Sequence, residues 1–325
     1  MSAHDLSAGG DVLDRVTACA REALRAHGID GDDGELELLN VSENATFLAP
    51  GPSVIRVHRL GYHTEREIAS ELHWMDALRA EAGIRTPRVL DATDGRRIVT
   101  VPDGDNRRHC VRFEFLPGSE PEATDFTRLG EITARMHQHA RTWKPPEWFS
   151  RFHWNYDSSF GKIARWGRWQ AGIGVGAQER AVLGRLDSEL KRRLAAYGAG
   201  RERYGLVHAD TRLANLLVSD GDVSVIDFDD SGFSWYLYDL GTAVSFFEHA
   251  PEVPELVDSW LAGYRDVAPL AAADEREVWT FILFRRLLLV AWIGSHQGAD
   301  IAAELGAQYT RDSCDLAEWY LTKGP

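Results

Sequence analysis

Asp210 and Asn215 stand five residues apart in the run Leu206-Val207-His208-Ala209-Asp210-Thr211-Arg212-Leu213-Ala214-Asn215-Leu216-Leu217-Val218, and Asp227 ends the apolar run Val223-Ser224-Val225-Ile226. Two strand-like runs thus deliver a carboxylate, an amide and a second carboxylate at their ends, where the three oxygens can converge on one point. Hard oxygen ligands without thiol or imidazole partners suit magnesium held on a phosphorylated substrate. Phosphoryl transfer from a nucleotide needs one carboxylate at the acceptor hydroxyl, with an Asn and an Asp holding metal against the phosphates. An Asp-x4-Asn spacing alone is an ordinary turn signal. The chemical reading comes from the order of strand, His-x-Asp, Asn, hairpin and Asp-Phe-Asp-Asp, the last formed by Asp227, Phe228, Asp229 and Asp230.

The elements that must position these groups fall into two parts. Residues 11–27 carry apolar residues at helical spacing, and 36–39, 45–49 and 53–58 read as short strands separated by Ser42-Glu43-Asn44 and Pro50-Gly51-Pro52. A helix over 64–82 interrupts the strands, with Ile68, Leu72, Met75 and Leu78 on one stripe, and strands follow at 88–90, 96–101 and 110–115. The breaker-rich segment Pro117-Gly118-Ser119-Glu120-Pro121 ends that character, so the expected organisation is a β-rich lobe over 1–115, a hinge over 116–123 and a mostly helical lobe over 124–325. Helices are expected there at 125–140, 176–197, 234–249, 254–264, 275–294 and 307–321, with β runs at 205–208 and 216–226. The fold class is α+β. The glycine-rich string 172–176 follows no strand and reads as a linker, and His137 and His139, two apart on a helix, do not share a face for zinc.

The length of 325 residues and a charged fraction of 26% describe a folded chain. Lys and Arg number 36 against 50 Asp and Glu, so the net charge of −14 argues against nucleic-acid or anionic-membrane partners and favours a cationic one. Cys19, Cys110 and Cys314 lack metal-binding or paired spacing. With an acidic first segment and no apolar run of membrane length, the expected compartment is the cytoplasm. The oligomeric state is not legible.

The Asp-x4-Asn and Ile-Asp-Phe-Asp patterns resemble the aminoglycoside phosphotransferase and choline kinase superfamily, whose fold is similar to that of protein kinases, with the nearest likeness to its homoserine-kinase type II and stress-response branch. The resemblance spans roughly residues 36–292. It implies a protein-kinase-like two-lobed fold, ATP and Mg2+ as cofactors, Asp210 orienting and deprotonating the acceptor hydroxyl, and Arg212 stabilising the transferring phosphoryl group. Asn215 and Asp227 would bind metal, with Asp229 assisting at a second ion, and His208 would support the loop.

In the small lobe the resemblance sets Arg56 where lysine is usual, with Glu71 or Glu67 as its partner. Arginine keeps the charge and can grip phosphate bidentately. Ser42 and Asn44 would lie on the phosphate-covering hairpin, and adenine would meet the backbone near Glu114, Phe115 and Leu116. Asp239 precedes an apolar helix and reads as structural.

Trp143, Trp148, Trp154, Trp166 and Trp169 crowd one segment with Phe149, Phe152, Tyr156 and Phe160, forming either core or a pocket wall. A substrate ammonium could stack on Trp154, with Asp157 and Asp230 as counter-charges. The expected function is an ATP- and magnesium-dependent phosphotransferase acting on a hydroxyl of a small, amine-bearing molecule: an amino alcohol, hydroxy amino acid or aminoglycoside-like compound. The alternatives are a Ser/Thr protein kinase of the stress-response type and a catalytically inactive nucleotide-binding module.

Overall fold

The computed structural model describes residues 9–30, 36–41, 43–219 and 222–323. Strands β1 (Glu37–Val41), β2 (Ala45–Ala49) and β3 (Ser53–Val57) form an antiparallel meander. After helix α2 (Glu65–Glu81), β5 (Asn106–Glu114) pairs with β3 and carries β4 (Val99–Asp103) at the sheet edge, giving the order β1-β2-β3-β5-β4. Strand alternation sorts the side chains into two faces. Ala45, Phe47, Ile55 and Val57 pack against Val16, Ala20 and Leu24 of α1 (Gly9–Ala26) in one core. Thr46, Val54 and Arg56, offset by one residue, face the cleft.

Helix α2 is started by a capping box in which Thr64 Oγ accepts from the Glu67 amide at 3.2 Å and Glu67 Oε2 accepts from the Thr64 amide at 2.8 Å. Its face bearing Ile68, Leu72, Met75 and Leu78 joins the larger core, which runs on into the helical part of the chain. That part contains α3 (Phe126–Thr142), the short α4 (Tyr156–Phe160), α5 (Ala177–Tyr197), α6 (Leu237–Ala243) and α7 (Val253–Val267), then α8 (Ala272–Glu275), α9 (Val278–Ser295) and α10 (Asp300–Lys323), the last broken at Gly306. Helix α9 is long and apolar enough to cross a membrane by length and composition alone, but its apolar window is 83% buried inside the fold. Helices α3 and α7 cross in backbone contact: a Cβ on Gly130 would lie 2.0 Å from the Trp260 carbonyl oxygen, and one on Gly263 would lie 1.8 Å from that of Thr127.

Two small sheets carry the polar loop. Strand β6 (Tyr204–Val207) pairs with β9 (Gly232–Trp235), and β7 (Leu216–Ser219) pairs with β8 (Asp222–Val225). The first corrects the expectation of a helix over 234–249: Phe233 and Trp235 are strand formers paired opposite Leu206 and Tyr204, and the helix that follows ends before Phe246, whose φ of 78° is left-handed. The expected strand at 88–90 is a single bridge between Val89 and Phe113. Residues following a proline-containing turn here have only the outer edge of β5 to pair with.

Candidate active site

Asp210 sits in a loop held from below. Ala209 has a φ of 67°, and the carboxylate of Asp239 accepts hydrogen bonds from the Ala209 amide at 2.7 Å and the His208 amide at 3.2 Å. His208 is fully buried; its Nε2 lies 3.0 Å from the Ile226 carbonyl oxygen, and its Nδ1 accepts from the Asp210 amide at 3.3 Å. The ring therefore ties the loop of Asp210 to the strand that ends at Asp227.

Three donors make four hydrogen bonds to the Asp210 carboxylate. Asn215 Nδ2 donates to Oδ2 at 2.8 Å and also to the Asp210 carbonyl at 2.8 Å. Arg212 Nε reaches both oxygens at 3.3 Å, and Arg285 Nη2 from α9 donates to Oδ1 at 2.9 Å. Burial alone would raise this carboxyl, but Arg212 and Arg285 outweigh it and hold it below the ordinary carboxylate range. Asp210 is thus a fixed anion with directed lone pairs, suited to orienting a hydroxyl. Arg285 is itself locked, with Nε on Ser245 Oγ at 3.0 Å and Nη1 on the Tyr238 hydroxyl at 3.0 Å.

Asp227 follows β8 with a φ of 59°, a left-handed backbone that turns its carboxylate into the cleft. Arg56 bridges it to α2: Nη2 lies 2.5 Å from Glu71 Oε1 and Nη1 lies 3.4 Å from Asp227 Oδ1. Glu71, not Glu67, is therefore the arginine's partner, while Glu67 is spent on the helix cap. Although its side chain is half exposed to the open cleft, enclosure by the cleft walls, with Asp229 and Asp210 adding repulsion against the pull of Arg56, pushes Asp227 up to about 7. A carboxylate that hard to ionise is short of positive charge. With the Asn215 amide nitrogen consumed by Asp210, its oxygen is left to accept, and Asp227 and Asn215 together offer the hard oxygen donors that a divalent cation takes.

Asp229, expected from the sequence to assist at a second metal ion, lines the same cavity as Asp227. Its Oδ1 lies 3.4 Å from both His58 Nδ1 and His63 Nε2, and Oδ2 lies 3.7 Å from Arg59. Burial pushes His58 down to about 4. Burial also opposes ionisation of Asp229, but its contacts with His63 and His58 and the charge of Arg56 keep it well below the usual range. Oδ1 makes no hydrogen bond, and Asp229 brings an oxygen within 4.8 Å of oxygens of Glu43 and Asp230 at the cavity wall. Arg151, which sequence reasoning missed, donates to the backbone carbonyls of Asp229, Ser231 and Glu67 and so fastens the loop to α2.

One cavity of about 710 Å³ brings these groups together. It is lined by Asp210, Arg212, Asn215, Asp227, Arg56 and Glu71, and equally by Asn44, Glu114, Phe115, Leu116 and Asp230. Asn44 Oδ1 accepts from the Arg59 amide at 3.0 Å, which shapes the β1–β2 turn. Ser42 lies outside the described residues. Two expected acceptor contacts are corrected: Trp154 is fully buried, its indole donating to the Asp230 carbonyl at 2.8 Å, and Asp157 is exposed on α4, so neither lines the cavity. Of the tryptophan cluster, Trp166 does line it, while Trp169 is core and Trp148 is exposed.

A five-stranded antiparallel lobe over a helical lobe, with an Asp, Asn and Asp set around the cleft between them, defines a kinase-like phosphotransferase. The model of the phosphotransferase enzyme family matches residues 37–277, and the chain belongs to that family. The amicoumacin kinase of Bacillus subtilis (strain 168) is 24% identical over 299 residues, covering 86% of this chain and 84% of its own. Among solved structures, the microcompartment-associated aminopropanol kinase is 47% identical with a TM-score of 0.89, covering 94% of this chain and 98% of that one. An amicoumacin kinase in complex with AMP-PNP, Ca2+ and Ami shares the fold at a TM-score of 0.75 and 20% identity, covering 94% of this chain and 95% of that one. The protein is a phosphotransferase of the kinase type.

Proposed function

We propose that the protein transfers the γ-phosphoryl group of ATP, with Mg2+, to a hydroxyl of a small amine-bearing molecule. The observation that carries this reading is the convergence of Asp210, Asn215 and Asp227 in the cavity walled above by the Arg56–Glu71 pair. Asp210 holds the acceptor hydroxyl in line with the phosphorus. As the acceptor oxygen forms its bond to phosphorus, the bond to the bridging oxygen breaks, ADP leaves with the electron pair, and the hydroxyl proton passes to Asp210. Asn215 and Asp227 would hold the divalent cation, which supplies neutralising charge to the phosphates when bound. Arg212 stands beside Asp210 to take charge on the phosphoryl oxygens, and Arg56 keeps a cation at the position where lysine is usual.

The nucleotide and divalent ion in the structure of one relative, and the amine-bearing acceptors named for two of them, support this assignment. The chain runs from Asp229 directly into β9, which leaves little room for the long segment on which a protein kinase seats its peptide. ATP consumption and phosphorylated product measured across a panel of hydroxyl compounds test the proposal. Phosphate appearing only on added protein would overturn the small-molecule acceptor, and nucleotide binding with no turnover on any acceptor would leave a binding module.

A further inference from the structure

Asp230 is a buried carboxylate without a counter-ion. It is 9% exposed and lines the catalytic cavity, and its Oδ1 accepts from the Tyr62 hydroxyl at 2.6 Å. Among the described residues no cation stands within ion-pair distance of it, and Oδ2 has no donor. Burying a charge in that state costs free energy that something in the working enzyme must return.

Its surroundings are negative as well. Glu43, on the turn between β1 and β2, and Asp229 each bring an oxygen within 4.8 Å of the others and of Asp230. The nearby cation is shared with the other two: Arg59 Nη1 lies 2.7 Å from Glu43 Oε2, and its Nη2, which makes no hydrogen bond, lies 3.7 Å from Asp229 Oδ2. Glu43 Oε1 also accepts from the Trp292 indole at 2.8 Å. Burial lowers the pKa of both His58 and His63, and among the described residues Arg59 is the arginine ion-paired to these carboxylates. The consequence is visible in Asp230, which burial and the charge of Glu43 push up to about 7 against the pull of Arg59.

Resting on the phosphotransferase reading above, we propose that Asp230, with Glu43 beside it, seats the primary ammonium of the acceptor, and that this pocket selects a carboxylate-free amino alcohol over its hydroxy amino acid and quaternary ammonium counterparts. A primary ammonium brings three N–H donors and a positive charge, which is what the open Asp230 oxygen and the excess of carboxylates lack. A quaternary ammonium carries the charge without a donor and leaves that oxygen unpaired. A hydroxy amino acid adds a carboxylate, and the arginines that line the cavity are already engaged: Arg212 donates to Asp210 and is assigned above to the phosphoryl oxygens. Each nitrogen of Arg285 already donates, to Ser245, Tyr238 and Asp210, and Arg56 is held by Glu71 and Asp227. The added carboxylate would face Glu43, Asp229 and Asp230, and like charges in a desolvated site reject a ligand strongly.

Matched acceptors test this in the wild-type enzyme with ATP and Mg2+: ethanolamine against serine and choline, and 1-amino-2-propanol against threonine and 1,2-propanediol. With kcat/KM as the readout, each amino alcohol should exceed its counterparts by at least about 30-fold. In Asp230→Asn the preference for 1-amino-2-propanol over the diol should collapse by a similar factor through KM, with partial recovery in Asp230→Glu. Serine or choline turned over as well as ethanolamine, or an unchanged preference in Asp230→Asn, would overturn the inference while leaving the phosphotransferase reading intact. Absence of turnover on every hydroxyl compound would remove that reading and this inference with it. Should Asp230→Asn not fold, as judged by thermal unfolding, Glu43→Gln and the wild-type panel carry the decision. Calorimetric titration with MgCl2 without nucleotide adds a control: heat of binding lost in Asp230→Asn would make the cluster a metal site and overturn the ammonium assignment.

Discussion

Asp210 is held by donors from three places in the chain, and each does different work. Asn215 and Arg212 belong to its own loop, whereas Arg285 reaches it across 75 residues from α9. Replacing Asp210 by Asn removes the proton acceptor and turns one oxygen into a donor that faces Asn215 or Arg285. Turnover should fall by about 10²- to 10⁴-fold in steady-state assays. Arg285 acts through Asp210, as a positioning residue. Arg285→Met keeps the packing against Trp166 and Tyr238 but frees one side of the carboxylate, so kcat should drop by about 10²-fold with little change in KM, and Arg285→Lys should recover part of it. Equal losses in KM and kcat would indicate a general collapse of the cavity.

At the scale of elements, local signals were legible and distant ones were not. The run from His208 to Asp230 could be read because its spacing is local: two short strands, a turn and a hairpin set the positions of Asp210, Asn215 and Asp227. The period-two alternation of β3 likewise puts Arg56 on the cleft face opposite Ile55 and Val57. Arg285 was hidden because an arginine inside the apolar run of α9 reads only as an interruption until the fold brings it to Asp210. Trp292 meets Glu43 across 249 residues, a pairing no local pattern encodes. The glycine contacts between α3 and α7 are equally silent in sequence. Gly263→Ala would press a methyl onto the Thr127 carbonyl and force the helices apart, so thermal unfolding should register a loss of about 1–3 kcal/mol.

The sheet is tied by a buried pair as well. Arg108 Nε donates to Asp103 Oδ2 at 2.6 Å, and Arg15 of α1 donates to Oδ1 at 2.8 Å. Burial opposes ionisation of Asp103, but the hydrogen bonds from Arg15 and Arg108 outweigh it and lower its pKa below the usual carboxyl value. A lowered folded-state pKa means that the stabilising contribution is complete above the unfolded carboxyl value of 3.8 and is lost as pH falls through the lower folded one. Asp103→Asn should therefore cost about 3–5 kcal/mol at neutral pH by stranding Arg108, and the gap between wild type and variant should narrow only under strong acid, as followed by denaturant titration across pH. A gap that closed already near pH 6 would contradict the ion-pair account.

For the whole molecule the decisive balance is between cleft carboxylates and the cations that reach them. Five of the 50 acidic side chains behind the net charge of −14, Asp210, Asp227, Asp229, Asp230 and Glu43, meet at one cavity. Arg56, Arg59, Arg212 and Arg285 are each already committed to one or more of these groups. Under the proposed assignment a nucleotide entering alone brings its phosphates toward Asp210 and Asp227 while the arginines there are already paired with carboxylates, and a divalent ion entering alone gains the oxygens of Asp227 and Asn215 without those of the phosphates. Each partner therefore needs the other, and binding should be cooperative. Saturation at 100 times Kd with a non-hydrolysable ATP analogue and Mg2+ should stabilise the protein by about 2.7 kcal/mol, a rise of several degrees in the unfolding midpoint by scanning calorimetry. In excess EDTA most of that rise should vanish, and in Asp227→Asn the metal should add little to what the nucleotide gives by itself. An equal rise with and without EDTA would show that Arg56 and Arg212 suffice to hold the phosphates, and would leave the crowding that raises Asp227 without a role in binding the divalent ion.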